Sequence, residues 1–420
     1  RVKPYASVTT LKRETTGVEL YLHIPFCRSK CAYCALYSVA GRTHLIGRYV
    51  VALRREIRYV GAALPPGACV ETVYFGGGTP TLLPPRLTAA LLEACARAVP
   101  LAGDAEITVE AHPATVTADS LRALRAAGVN RVSIGVQSAH DATLRRVGRA
   151  HTVAEAARAL AWARAAGFDN VGVDLIYGLP GESLRRWRES VTRALAWEPD
   201  HVSAYALAVE PGTRLARCVA AGGETVAGPD LAAAMYDAAG EMLASTGLRQ
   251  YELSNWARPG MACRHNINVW RGGAYLGLGA DAHGCANGVR YRVVNSVDAY
   301  LRRMARAGAP PEPPAFPRSP AAAESHRLSE REAMEEAMIL GLRLVEEGVS
   351  AGRFAARFGR ELWAVFGAQL GELLALGLLE QHGDAVRLAP RARLISNQVF
   401  VRFIGTAAPA ASVRDSSQGA

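Results

Sequence analysis

Two rhythms of apolar residues alternate along the first half of the chain. Short runs rich in β-branched and aromatic residues read as strands, at Val18–Ile24, Val70–Phe75, Glu106–Glu110, Arg131–Val136, Val171–Ile176 and His201–Leu207. Between them lie Ala-, Leu- and Arg-rich stretches with helical period, near 44–60, 86–98, 117–127, 152–166 and 182–196, several ending at a glycine such as Gly128 or Gly167. Such alternation predicts repeated βα units around a parallel sheet. Six units fall short of the eight that close a full barrel, so the expected fold over 18–208 is α/β, an incomplete TIM-like (β/α)6 barrel open on one side. Residues 1–17 form an N-terminal extension to it.

Beyond residue 207 the pattern loosens. Residues 209–308 are expected to extend the barrel, with a helix near 230–245 and then a Gly-rich stretch from Arg264 to Gly288. Six prolines between Pro310 and Pro320 cannot sit in a helix or a central strand, so 309–323 reads as an extended linker. Helices near 328–345, 350–358 and 361–376, with a hairpin-like segment at Leu379–Leu388, predict a small, mainly helical, winged-helix-like domain over 324–404. The Ala/Ser/Gly-rich residues 405–420 read as a disordered tail.

Half of the 420 residues are hydrophobic and a fifth are charged, which fits a globular protein with a large core. No run of about 18 apolar residues occurs, so no membrane span is expected. The first residues offer no apolar stretch of secretory type, and the expected compartment is the cytoplasm. The net charge is +10, yet the basic residues are almost all Arg and are spread along the chain without a block of like charge. No nucleic-acid surface is expected. Anionic small molecules remain suitable partners.

Polar residues able to do chemistry stand at the C-terminal ends of the predicted strands, where barrel enzymes carry their sites. Three of the eight cysteines are clustered directly after the first run, as Cys27-Arg-Ser-Lys-Cys31-Ala-Tyr-Cys34. Three thiolates on one loop can converge on an inorganic centre. A [4Fe-4S] cluster held by three cysteines keeps one iron open, whereas a closed zinc site needs a fourth ligand, which His23 or His44 could supply. Unliganded thiols are the third reading. The turn Gly76-Gly77-Gly78-Thr79-Pro80 is neither a dinucleotide fingerprint nor a P-loop, but its glycines allow close backbone approach to a small zwitterion.

The C-x-x-x-C-x-x-C array together with Gly-Gly-Gly-Thr-Pro resembles the radical S-adenosylmethionine (SAM) superfamily. Further along, Tyr21-Leu-His-Ile-Pro-Phe-Cys27, Ile107-Thr-Val-Glu110-Ala-His-Pro113, Asn130-Arg-Val-Ser-Ile-Gly-Val-Gln-Ser138 and Asp174-Leu-Ile-Tyr-Gly-Leu-Pro180 are similar to the oxygen-independent coproporphyrinogen III oxidase-like family, which includes the heme chaperone branch HemW. The resemblance implies a [4Fe-4S] cluster on Cys27, Cys31 and Cys34. It implies SAM contacts at Tyr21, Tyr33, Gly77, Gly78, Thr79, Glu110, Gln137, Arg149, Asp174 and Ala208. These residue types suit the ligand, since Glu110 and Asp174 can accept from ribose hydroxyls or an amino group and Arg149 can hold a carboxylate.

One position separates the branches. The oxidases carry a fourth cysteine two residues after the third, and here that position is Leu36. The segment His265-Asn266-Ile267-Asn268-Val269-Trp270 is similar to the H-N-x-x-Y-W motif tied to heme in the chaperone branch, with Val269 in place of Tyr. The resemblance therefore implies heme or porphyrin as a partner, His265 as a heme ligand with His283 as the weaker candidate, and delivery to hemoproteins, among them membrane-associated ones. The alternative is oxidative decarboxylation of coproporphyrinogen III through a 5′-deoxyadenosyl radical. Met338-Ile-Leu-Gly-Leu-Arg-Leu344 and Ser396-Asn-Gln-Val-Phe400 are similar to the family's helical domain.

Overall fold

The computed structural model describes residues 17–308 and 318–405. Six strands form the parallel part of the sheet: β1 (Gly17–Ile24), β2 (Cys69–Gly77), β3 (Leu101–Ala111), β4 (Arg131–Gln137), β5 (Asn170–Tyr177) and β6 (His201–Ala206). Each is followed by helix, with α1 (Ile46–Gly61), α2 (Pro85–Ala98), α3 (Ala118–Ala126), α4 (Asp141–Arg146), α5 (Val153–Ala165) and α6 (Leu184–Leu195) between them. The six strands neighbour one another in chain order, as the sequence predicts.

Alternation along each strand sorts its side chains between two sides. On β4, Val132, Ile134 and Val136 are buried in the large hydrophobic core, while Arg131, Ser133, Gly135 and Gln137 line the lumen. The helices start where short polar side chains cap them: Thr117 and Thr152 each form a reciprocal capping box, with Ser120 and Glu155. Trp187 on α6 is fully buried and its indole N–H donates to Met235 O at 2.6 Å, anchoring the outer layer.

The parallel strands are not the whole sheet. A short hairpin, β7 (Arg249–Glu252) and β8 (Asn255–Ala257), adds antiparallel to β6, after helices α7 (Arg214–Ala220) and α8 (Pro229–Ala244). On the other side β9 (Tyr275–Leu278) lies parallel to β1, and β10 (His283–Ala286), β11 (Val289–Val293) and β12 (Ala322–Arg327) continue antiparallel. The order across all twelve is β12-β11-β10-β9-β1-β2-β3-β4-β5-β6-β8-β7, and no pairing joins its two ends among the described residues.

Within the Gly-rich stretch lie helix α9 (Arg264–Trp270) and strands β9 and β10, and its glycines sit where strands crowd. A Cβ at Gly277 would lie 1.8 Å from His283 O, and one at Gly284 would lie 2.3 Å from the Tyr291 ring. The predicted linker 309–323 falls outside the described residues over 309–317, but its end is fixed. Buried Ser319 donates to Glu56 Oε1 at 2.5 Å, and Ala322–Arg327 is an edge strand of the sheet, not the start of the helical domain. Glu56, on α1 and fully buried, also accepts from Tyr300 Oη at 2.7 Å and Gly279 N at 2.8 Å. Burial pushes its carboxyl above the usual range, and these three donors compensate the buried acceptors.

The second compact unit comprises Trp270–Gly272 and the chain from Leu328. It holds α11 (Glu330–Gly341), α12 (Ala351–Phe358) and α13 (Leu362–Ala375), following α10 (Val297–Arg306) of the larger unit, with a three-stranded sheet of Val349–Ser350, Ala385–Leu388 and Leu379–His382. Its core packs Phe354, Phe358, Phe366 and Phe403 in tilted and edge-to-face contacts, and Arg343 lies 4.2 Å over the Trp270 ring. The tail from 406 and the N-terminal residues 1–16 fall outside the described residues.

Candidate functional site

The cysteine loop leaves β1 and is closed at its base, where Phe26–Cys27 pairs with Val39–Ala40. Its middle is pinned by backbone bonds from Ala32 N to Val147 O at 2.9 Å and from Leu215 N to Ala32 O at 2.8 Å. The three thiols are all half-buried and line one cavity. Thr79 Oγ1 donates to Cys27 Sγ at 3.5 Å and Arg149 Nη1 to Cys31 Sγ at 3.7 Å. Burial raises the Cys34 thiol above its ordinary value.

Neither histidine offers itself as a fourth ligand. His23 is buried, with Nε2 3.1 Å from Tyr37 O and Nδ1 3.2 Å from Tyr21 Oη. The carbonyl can only accept, so Nε2 carries the proton and Nδ1 takes the tyrosine's. His44 is exposed and is not among the residues lining the cavity.

The glycine turn closes the second wall. Gly77 has φ +108°, a conformation that side chains resist, and a Cβ there would fall 2.6 Å from the His23 ring. Gly78 N donates to Ile24 O at 2.9 Å, so the turn grips the end of β1. Gly77 N donates to Glu110 Oε2 at 3.2 Å, and Tyr74 Oη to Oε1 at 2.9 Å. Burial, with the Asp174 charge adding to it, pushes the Glu110 carboxyl up to about 7. Asp174 in turn accepts from Ser133 Oγ at 2.9 Å.

The cavity measures about 330 Å³ and its wall includes Tyr33, Gly77, Gly78, Thr79, Glu110, Gln137, Arg149 and Asp174 together with the three cysteines. Two of the expected SAM contacts are not in that wall. Tyr21 stacks on Tyr74 with ring centroids 6.0 Å apart, and Ala208 is exposed in the loop after β6. Two polar atoms in the wall are buried without a protein partner, Gln137 Oε1 and Arg149 Nε. An orphan acceptor and an orphan guanidinium N–H match the amino and carboxylate groups of an amino-acid ligand. The three thiols line the same cavity, and their donor type is that of an iron–sulfur cluster.

The floor of the cavity holds residues not singled out in the sequence: Arg131, Ser133, His201, Ser203, Tyr205 and Asn266. The period-two pattern of β4 and β6 marks most of them as inward-facing. Asn266 had no such signal, because it enters from α9. The carboxylate of Glu106 on β3 accepts the first free amides of that helix, from Arg264 N at 2.9 Å and His265 N at 3.2 Å.

His265, at the start of α9, is enclosed by its neighbours. Its side chain is only 7% exposed, with Nδ1 2.7 Å from Thr72 Oγ1 and 3.1 Å from Glu19 Oε2, and its ring lies 5.1 Å from that of Tyr74. As packed, the imidazole ties α9 to β1 and β2.

Residues 21–194 match the radical SAM superfamily and residues 328–395 the HemN C-terminal domain. Over 92% of this chain and 98% of its own length, the heme chaperone HemW of Bacillus subtilis is 35% identical. The chain belongs to the HemW family. The HemW of Mycobacterium tuberculosis H37Rv is 37% identical over 92% of this chain and 94% of its own. Among solved structures, that of Escherichia coli coproporphyrinogen III oxidase, HemN, described as a radical SAM enzyme, superposes with a TM-score of 0.77, covering 92% of this chain and 89% of that one at 23% identity. At that identity the likeness speaks for the fold alone. Among the described residues no helix is long and apolar enough to cross a membrane.

Proposed function

We propose that this HemW-family chain binds a [4Fe-4S] cluster and SAM, and that it binds heme and hands it to hemoproteins from the cytoplasm. The observation that carries the reading is the cluster loop: three thiols at one cavity, with Leu36, 60% exposed, at the position where the oxidases have a fourth cysteine. The end-to-end similarity to relatives named heme chaperones supports it.

In this reading Cys27, Cys31 and Cys34 hold the cluster, whose open iron supplies electron transfer to the sulfonium when SAM is bound. The chain's own residues do the rest. Arg149, fixed by its bond to Gly135 O, holds the ligand's carboxylate, and Gln137 accepts from its amino group. Glu110 and Asp174 accept from the ribose hydroxyls, each already oriented by a donor from a neighbouring strand. Tyr33, half-buried in the same cavity wall as the thiols, shields the site from water.

Anaerobic reconstitution followed by heme titration tests this. Iron and sulfide loading of the protein and a red-shifted Soret band on adding heme are the expected results. In a parallel incubation with coproporphyrinogen III, SAM and reductant, mass analysis should find no loss of two carboxyl groups. A decarboxylated product without a Soret shift would replace this reading with the oxidase one.

A further inference from the structure

One histidine in the wall of the cavity has no part in the reading above: His112, which directly follows β3, two residues after Glu110. Its backbone is fixed on both sides. The N–H donates to Thr81 Oγ1 at 3.3 Å, and the carbonyl accepts from Thr115 N and Thr115 Oγ1, both at 2.9 Å. The single turn Pro113–Thr115 starts here, and the imidazole caps it, Nδ1 accepting from Ala114 N at 3.1 Å.

That bond settles the tautomer. A ring nitrogen that accepts carries no hydrogen, so in the neutral imidazole the proton stands on Nε2. Burial first, and the Arg149 guanidinium next, pull the group down to about 2, which keeps the ring neutral at any working pH. Among the described residues the Nε2–H has no protein acceptor, and it is not sealed inside the wall. His151 packs edge-on against the ring, with centroids 5.0 Å apart and planes at 88°, and is itself held by Nε2 donating to Val136 O at 3.1 Å. The pair leaves His112 little room to turn.

The permanent charges felt at this corner share one sign. They come from Arg149 and then Arg28, and no carboxylate acts on His112 beside them. Glu110, by contrast, feels the Asp174 charge. A ligand with an acid at one end and hydroxyls at the other is oriented by that difference. Arg28 also donates to Ala114 O at 3.0 Å, which joins the cysteine loop to the turn that His112 caps.

Resting on the SAM reading above, we propose that His112 is a further ligand contact, its Nε2–H donating to the carboxylate that Arg149 holds and so fixing the amino-acid end of SAM beside the cysteine loop.

The test is calorimetric titration of the anaerobically reconstituted full chain with SAM and with decarboxylated SAM, the same sulfonium without the acid, in the wild type, His112→Asn and His112→Ala. Asn keeps the cap, since its Oδ1 replaces Nδ1, but its amide stops short of the Nε2 position. His112→Asn is expected to weaken SAM by about tenfold, the size of one hydrogen bond to a charged group, and to leave decarboxylated SAM unchanged. His112→Ala loses the cap as well, so its melting temperature should fall while that of His112→Asn holds, and both variants should show the same reduced preference for SAM over decarboxylated SAM. Iron and sulfide content should match the wild type throughout. An equal loss for both ligands in His112→Asn, or no loss for either, overturns the contact and leaves the SAM reading standing. A wild type that binds neither ligand overturns both.

Discussion

Cys31→Ala is expected to abolish the cluster: the visible charge-transfer absorbance of the anaerobically reconstituted protein should vanish and its iron content fall to background. The thiol is half-buried, and its loop is held by backbone bonds from Ala32 N to Val147 O and from Leu215 N to Ala32 O that the substitution does not touch. Its cost to folding should accordingly stay within about 1 kcal/mol, with an unchanged far-UV circular dichroism spectrum. What is lost is one of three anchors. Cys27 and Cys34 cannot supply it, and His23 is committed to Tyr37 O and Tyr21 Oη. Retention of the full iron and sulfide content by a well-folded variant would refute the three-thiol assignment.

The second large effect belongs to Glu110. Its carboxyl, pushed up to about 7 by burial first and by Asp174, ionises in the middle of the working pH range. A ligand bearing a sulfonium charge favours the ionised form. SAM affinity measured by calorimetry should therefore rise by up to tenfold per pH unit from roughly pH 6 towards 7 and level off above it. Folding runs the other way. A carboxyl whose folded value is raised above its unfolded one stabilises the protein most below the unfolded value, and that contribution is lost as pH rises through about 7. The melting temperature of the SAM-free protein should fall over the same range in which SAM raises it more. Glu110→Gln should flatten both trends. The amide can accept from only one of the two donors, Tyr74 Oη and Gly77 N, so SAM binding at the alkaline end should also weaken by about 10- to 100-fold. A pH profile identical to that of the wild type would remove Glu110 from the ligand site.

The parallel strands were legible because each carries an apolar stripe on one side, β-branched throughout in Val132, Ile134 and Val136 of β4. β3 begins at Leu101, before the predicted Glu106, because Leu-Ala-Gly-Asp lacks that stripe and is held by pairing rather than propensity. The added strands were harder to see. Ala322–Arg327 is Ala-Ala-Glu-Ser-His-Arg, almost wholly exposed, and only its ladder with β11 makes it a strand. The site residues that touch the ligand wall followed from the family motifs and from strand alternation. The surroundings of His265 were not legible, since a motif gives neighbours in sequence, whereas its burial depends on Thr72 and Glu19 arriving from two other strands.

The last strand also defines where the barrel ends as a physical object. β12 covers the outer ladder of β11, and the larger unit closes at Arg327, past the proline-rich segment. A chain cut at those prolines would strip this cover and bare a row of unpaired amides and carbonyls to other molecules, the geometry that seeds aggregation. A chain cut after Arg327 keeps its margin dressed. The natural seam for separating the two units thus lies a few residues later than the prolines suggest.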